Sequence, residues 1–401
     1  MLRPYGYVLC AAALASAGLL PGQAPEDSSP VPMNEYARTK SALEQYRVFA
    51  AEDDGGILPE TTKPVVPGDH YDGVPRLIRL LTRIGDLSGV AVSDDEDLYH
   101  GYLVTAVRRF QRRHGLEPDG RIDKTTLAEL NTPLAFRVHQ LELSLERWRQ
   151  RPYDPSRPAI VLNLPEFRLR AFREGHLDLE MNTVVGQARE HKTPLLSSEL
   201  ESVIFRPYWN VPLSIQRAEL VPQILKDPSF VSANHYQMVT EQGNVVEGAL
   251  SDDILSQLRS GSLRLRQTPG PSNTLGLAKF VFPNDYGVYM HATSVPGLFA
   301  LARRDLSHGC IRVERAADLA EWVLRDEPGW PRNRIVKAMH GSESLEVKLT
   351  QPIQLVTMYV TAVALENGEV HFFEDIYGED DALDERLAES RPRQEANDSL
   401  R

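Results

Sequence analysis

Two cysteines in 401 residues leave this chain with almost no means of covalent cross-linking. Cys10 lies in an N-terminal segment that reads as removable, so Cys310 would have no internal partner and no disulfide could hold the fold. The chain must stand on apolar cores, and its length exceeds one ordinary core, which predicts two or three domains. Composition permits this, with 42% of residues hydrophobic and 25% charged. The formal net charge of −12, uninterrupted by any dense basic cluster, argues against a nucleic-acid partner.

Residues 1–24 read as a secretory signal: Arg3, an apolar run over 8–20, then Gly22-Gln23-Ala24. The run is short for a membrane span, although an uncleaved anchor stays open. The mature chain is then exported to the periplasm or cell envelope and has no transmembrane domain. Residues 25–70, rich in Pro, Gly and acids, read as a spacer with a short helix over 36–51. Over 71–131 the apolar spacing of Val74, Leu77, Ile78, Leu81 and Ile84, then of Ala106, Val107 and Phe110, predicts helices. Asp123 caps a third, carrying Leu127 and Leu130. A helical linker over 132–155 begins at Thr132-Pro133.

From residue 156 the pattern becomes strands, expected at 159–164, 168–172, 181–185, 203–205, 279–282 and 287–291. Helices at 217–225 and 252–258 fall in an insertion, and another helix spans 316–324. A strand pair, 356–365 and 370–373, turns at Asn367-Gly368, and 379–401 is a charged tail expected to be disordered. The fold class predicted is multidomain α+β.

The stretch Ser307-His308-Gly309-Cys310-Ile311-Arg312-Val313 is where chemistry concentrates. A lone cysteine is often a buried small hydrophobe. Here Gly309 leaves backbone bare beside the sulfur, while His308 and Arg312 offer positive charge that favours a reactive thiolate. A thiol attacking an amide needs an imidazole, and His291, at the end of a predicted strand, can be brought to it by the intervening loop. Ala292 follows, so a backbone carbonyl rather than a side chain would orient that imidazole. Amides around Gly309 and Cys310 can serve a developing oxyanion.

His291-Ala292-Thr293 and Ser307 to Val313 together resemble the catalytic signature of the L,D-transpeptidase family, the YkuD domain. Phe205-Arg206-Pro207-Tyr208-Trp209-Asn210-Val211-Pro212, Leu275-Gly276 and Phe282-Pro283-Asn284 resemble its large YcbB-type murein members. Residues 106–116, Asp119-Gly120 and Thr125-Thr126-Leu127 resemble the peptidoglycan-binding domain 1 family. The resemblance implies a mostly β catalytic domain over 156–378 with a helical lid at 213–266. It implies Cys310 as nucleophile and His291 as base and later acid. Ser307, His308 and Gly309 would shape the oxyanion hole and pocket, with Arg312 at a substrate carboxylate. It further implies peptidoglycan stem peptides and glycan as partners, acylation by carbapenems, a 3→3 cross-link with loss of D-Ala, and neither cofactor nor metal.

Blander roles stand beside these. Arg312 can equally brace its loop, Ser307 can be a turn hydroxyl, and Tyr208 and Trp209 can be core rather than pocket. His291, His308 and Cys310 can also be read as zinc ligands of a murein peptidase. A non-enzymatic wall-binding scaffold is the third reading. The acceptor is open among a stem peptide, a lipoprotein lysine, a D-amino acid and water.

Overall fold

The computed structural model describes residues 35–89, 96–150 and 153–398, with side chains up to 389. The expected signal segment lies outside the described residues. No helix among those described is long and apolar enough to cross a membrane.

The N-terminal half is helical: α1 (Glu35–Glu52), α2 (Val74–Arg83), α3 (Gly101–Arg113), α4 (Lys124–Leu130) and α5 (Leu134–Arg149). Asp123 caps α4 as its side chain predicts, accepting from the Thr126 amide at 2.8 Å. The expected spacer is part of this unit from residue 35 onward. Ala42, Leu43 and Tyr46 of α1, with Leu58 and Val65 of the Pro-rich stretch, are buried in one core with Leu77, Leu81, Val107, Phe110 and Leu141. Leu58 and Val65 are buried although neighbouring Ile57 is exposed, and Val65 exchanges both backbone hydrogen bonds with Ile122. The expected linker helix α5 likewise packs on α1 and contributes Leu134 and Leu141 to that core.

The C-terminal half is a sheet closed on itself. Its strands are β1 (Ala159–Asn163), β2 (Arg168–Arg173), β3 (His176–Gly186) and β4 (Ser197–Phe205). After an insertion holding β5 (Trp209–Asn210), β6 (Tyr236–Val239), β7 (Val245–Val246) and β8 (Arg264–Gln267) come β9 (Ala278–Val281), β10 (Met290–His291), β11 (Asp305–Ser307), β12 (Ile311–Val313) and β13 (Leu345–Met358). The order β11-β3-β12-β10-β9-β4-β13-β1-β2 is closed by pairing of β2 with β3. Every residue of β1 is buried, as fits a strand covered on both faces. The register of β13 on β4 shifts between Lys348 and Ile353, where Pro352 has no amide to donate. Helices Ala316–Val323 and Arg332–His340 pack Leu319, Trp322 and Ile335 into the sheet's core.

Three expectations need correction. The insertion is not simply helical. It carries the four-stranded sheet β5-β8-β6-β7 as well as helices Val221–Lys226 and Asp252–Ser260. Short polar strands such as β8 (Arg-Leu-Arg-Gln) bury only alternate residues and carry little sequence signal. The strand expected over 356–365 is split: its first residues end β13, whereas β14 (Ala362–Ala364) pairs with β15 (Val370–Phe372) in a separate two-stranded sheet, burying Ala362, Val370 and Phe372 in the helical core. The charged tail begins as a docked helix, Glu379–Asp398, rather than a disordered segment. Leu383 is buried, Asp380 pairs with Arg147, and Asp384 meets His139 at 2.5 Å, so charges on α5 compensate the tail's own.

Candidate active site

Side chains in register across a sheet share a face. Lys279 of β9 lies opposite His291 of β10, which lies opposite Arg312 of β12. The β10–β12 pairing also brings Tyr289 beside Cys310, with the Ile311 amide donating to the Tyr289 carbonyl at 3.0 Å. Cys310 and His291 are thus diagonal neighbours on one face, placed by strand register and not by the loop between them. Cys310 is a free thiol, partly exposed.

His291 is 3% exposed. Its Nδ1 lies 2.5 Å from the Ala292 carbonyl, the kind of backbone orienter expected, which suits an Nδ1–H tautomer with Nε2 unprotonated. Burial first, then the Arg312 charge, pushes the imidazole down to about 3. Burial also pushes the Cys310 thiol up, against the opposing pull of Tyr289, Lys279 and Arg312. Desolvation outweighs the nearby cations, so the thiolate expected from local charge is not the resting form at neutral pH.

Ser307 is a turn hydroxyl. Its Oγ donates to the Cys310 carbonyl at 2.6 Å and accepts from the Gly309 amide at 3.1 Å. The Gly309 amide is therefore engaged inside the loop rather than aimed into a pocket. Gly309 has φ +104°, closed to ordinary side chains, and its carbonyl accepts from Thr193 Oγ1 at 2.9 Å. Thr193 Oγ1 also accepts from the Gly186 amide at 2.9 Å, and a Cβ on Gly186 would meet the His191 carbonyl at 1.8 Å. The Tyr377 hydroxyl donates to the Gly186 carbonyl at 2.6 Å, so the C-terminal segment helps hold the cysteine loop.

His308 has partners of its own. Its Nε2 lies 2.6 Å from Glu219 of the insertion, and its ring lies against His191 with centroids 4.7 Å apart. Among the described residues no three His, Cys, Asp or Glu side chains are grouped as metal ligands, so the zinc triad of His291, His308 and Cys310 does not assemble. Trp209 is buried in the insertion's core, against which Tyr289 packs. Tyr289, paired across from Cys310, thus joins the thiol's face to the core that holds Trp209. Tyr208 is 42% exposed, under the Arg266 guanidinium at 4.5 Å. The geometry thus brings together Cys310, His291, Arg312 and, through Tyr289, Trp209, and leaves Tyr208 outside.

Sequence reasoning missed Lys279, Tyr289, Glu219 and Thr193. Lys279 and Tyr289 were detectable as same-face neighbours once the strands were paired, but pairing is not written in either strand. Nothing in the sequence marks Glu219 or Thr193.

Residues 157–337 match the family model described as "L,D-transpeptidase catalytic domain", and residues 71–130 match one described as "Putative peptidoglycan binding domain". A Haemophilus influenzae protein described as "Putative L,D-transpeptidase" is 35% identical over 241 residues, which are 60% of this chain and 48% of that protein. The chain spans about half the length of this curated relative. The solved L,D-transpeptidase of Xylanimonas cellulosilytica (residues 123-326) is 16% identical, with 75% of this chain and all of that one covered, at a TM-score of 0.23. That of Stackebrandtia nassauensis is 12% identical over 65% of this chain and 91% of that one, at a TM-score of 0.27. Likeness at that level carries no argument. The two matched stretches fall on the helical unit and on the closed sheet. The chain carries an L,D-transpeptidase catalytic domain of the YkuD family behind a peptidoglycan-binding domain.

Proposed function

We propose that this protein is an exported murein L,D-transpeptidase that forms 3→3 cross-links through a cysteine thioester. The observation that carries this reading is the shared sheet face of Cys310 and His291, with the His291 ring held by the Ala292 carbonyl. In the donor, the carbonyl of the third stem residue, a diaminopimelate, is bonded to the nitrogen of a terminal D-Ala. Nε2 of His291 takes the thiol proton as Sγ attacks that carbonyl carbon. The tetrahedral oxyanion is met by the Cys310 amide, the Gly309 amide being held by Ser307. The carbon–nitrogen bond breaks, D-Ala leaves with the proton from His291, and a thioester remains. An amine of a neighbouring stem loses a proton to His291, attacks the thioester, and releases the thiol. Arg312 and Tyr289 line the thiol's face, and the insertion meets that region through the core on which Tyr289 packs and through the Glu219–His308 pair.

The helical unit would hold glycan strands, and carbapenems would acylate Cys310 on the same reading. Incubation with disaccharide-tetrapeptide and mass spectrometry of the products tests it. A dimer lacking one D-Ala supports the 3→3 linkage, tripeptide alone makes water the acceptor and the enzyme an L,D-carboxypeptidase, and unchanged donor refutes both. A lysine peptide from a lipoprotein terminus, added as acceptor, tests attachment by the same thioester.

The resting pair is a neutral thiol beside a neutral imidazole, because burial raises the one and lowers the other. Thiolate content then rises as pH rises toward the elevated thiol value. Alkylation by iodoacetamide is expected to climb steadily from about pH 6 to beyond pH 9, with no plateau on the acid side. A rate already level near pH 5 would mean a preformed thiolate–imidazolium pair, against this arrangement.

A further inference from the structure

The row Lys279–His291–Arg312 holds two cations without acid partners. Among the described residues neither Lys279 nor Arg312 has a carboxylate within ion-pairing distance, whereas Arg170 and Arg303 each meet two. Arg312 has a buried Nε with no hydrogen-bond partner. Lys279 holds its ammonium 3.9 Å from the centre of the Tyr289 ring, on the face that carries the sulfur. The acid nearest in register is Glu346, set beyond Ile204 on β13 and accepting from Ser202 Oγ at 2.8 Å. Two half-buried, unpaired cations beside a nucleophile are costly unless an anion completes them.

Resting on the proposed transpeptidase reading, we propose that Lys279, with Arg312, forms a subsite for the terminal carboxylate of the donor's departing residue. The geometry favours that carboxylate over others on a stem peptide. It belongs to the next carbonyl position after the scissile one, so with Sγ at the scissile carbon it must lie close to the sulfur. A side-chain carboxylate of the diaminopimelate lies several methylenes away. The subsite reads a chain that ends one residue past the attacked bond, which is a tetrapeptide. A donor extended by one residue brings an uncharged amide there, leaving the cations unpaired. This gives selection by the cost of an unmet buried charge, not by extra contact area.

Binding separates this from the chemistry. In the full-length Cys310→Ala protein, stem tetrapeptide with a free C-terminal carboxylate is expected to bind about tenfold or more tightly than its C-terminal carboxamide, the scale of a charge-assisted contact. Lys279→Met should bring that ratio close to one, and Lys279→Arg should keep most of it. Lys279→Gln, closer in shape and polarity, stands in if the methionine variant fails to fold. Equal binding of acid and amide with Lys279 present, a ratio unchanged in Lys279→Met and Lys279→Gln, or no binding of the acid form overturns the proposal. Preferred binding of the acid by a protein that nevertheless releases no D-Ala supports the subsite and refutes the transpeptidase reading. A purely structural lysine would alter stability and leave the acid-to-amide ratio where it was.

Discussion

Cys310→Ala is expected to abolish both D-Ala release and dimer formation from tetrapeptide donors, by roughly three orders of magnitude or more in kcat. In the proposed mechanism the sulfur is the atom that bonds to the donor, and no neighbour can replace it. Ser307 is the nearest candidate by sequence, but its Oγ is committed to the Cys310 carbonyl and the Gly309 amide. His308 is paired with Glu219. The substitution removes a partly exposed sulfur from a loop held by Gly186, Thr193 and Tyr377, so the fold should survive it. Product mass spectrometry beside a thermal melt tests this. Residual turnover at a tenth of the wild-type rate in a folded Cys310→Ala protein would sink the thioester mechanism. Cell-wall effects preserved without turnover would instead favour the scaffold reading.

The largest stability effect is expected far from the cysteine. Asp86 and Arg113 form a buried ion pair whose side chains are 1% and 4% exposed, with Arg113 also donating to the Val370 carbonyl of β15. Removing one partner strands the other charge in an apolar core, which costs about 3–5 kcal/mol. Asp86→Ala should therefore lower the urea midpoint of the helical unit markedly. It should also loosen the β14–β15 hairpin, because Arg113 is a hydrogen-bonded tie between α3 and that hairpin. Asp86→Asn, which keeps an acceptor, should cost less. A midpoint for Asp86→Ala within experimental error of wild type would show that the pair is hydrated in solution and not isolated in the core. Replacing both residues by apolar ones of similar volume should recover much of the loss.

Much of the architecture was legible along the chain, and the reason is local. Helical spacing of apolar residues marked α2, α3 and α4, and a capping aspartate marked where α4 starts. Strand alternation and buried runs marked most of the main sheet. The cysteine motif was legible because glycine, cysteine, histidine and arginine so close together have few structural uses. The segments misread share one property: their burial depends on distant partners. The stretch around Leu58 and Val65 looks like a polar spacer until Ile122 and Asn131 supply its hydrogen bonds. The tail looks disordered until Arg147 and His139 compensate its acids.

The sequence by itself singled out Cys310 as the candidate nucleophile and His291 as its candidate partner, and determined that two kinds of domain are joined. Tertiary structure alone decided what surrounds that nucleophile. Lys279 and Tyr289 reach the site because β9, β10 and β12 pair in one particular register, and a slip by one residue would turn each to the opposite face. Desolvation decided the protonation of the pair, and it runs opposite to what the neighbouring charges suggest. Register and burial are properties of chain segments brought together from far apart, and no single segment encodes them.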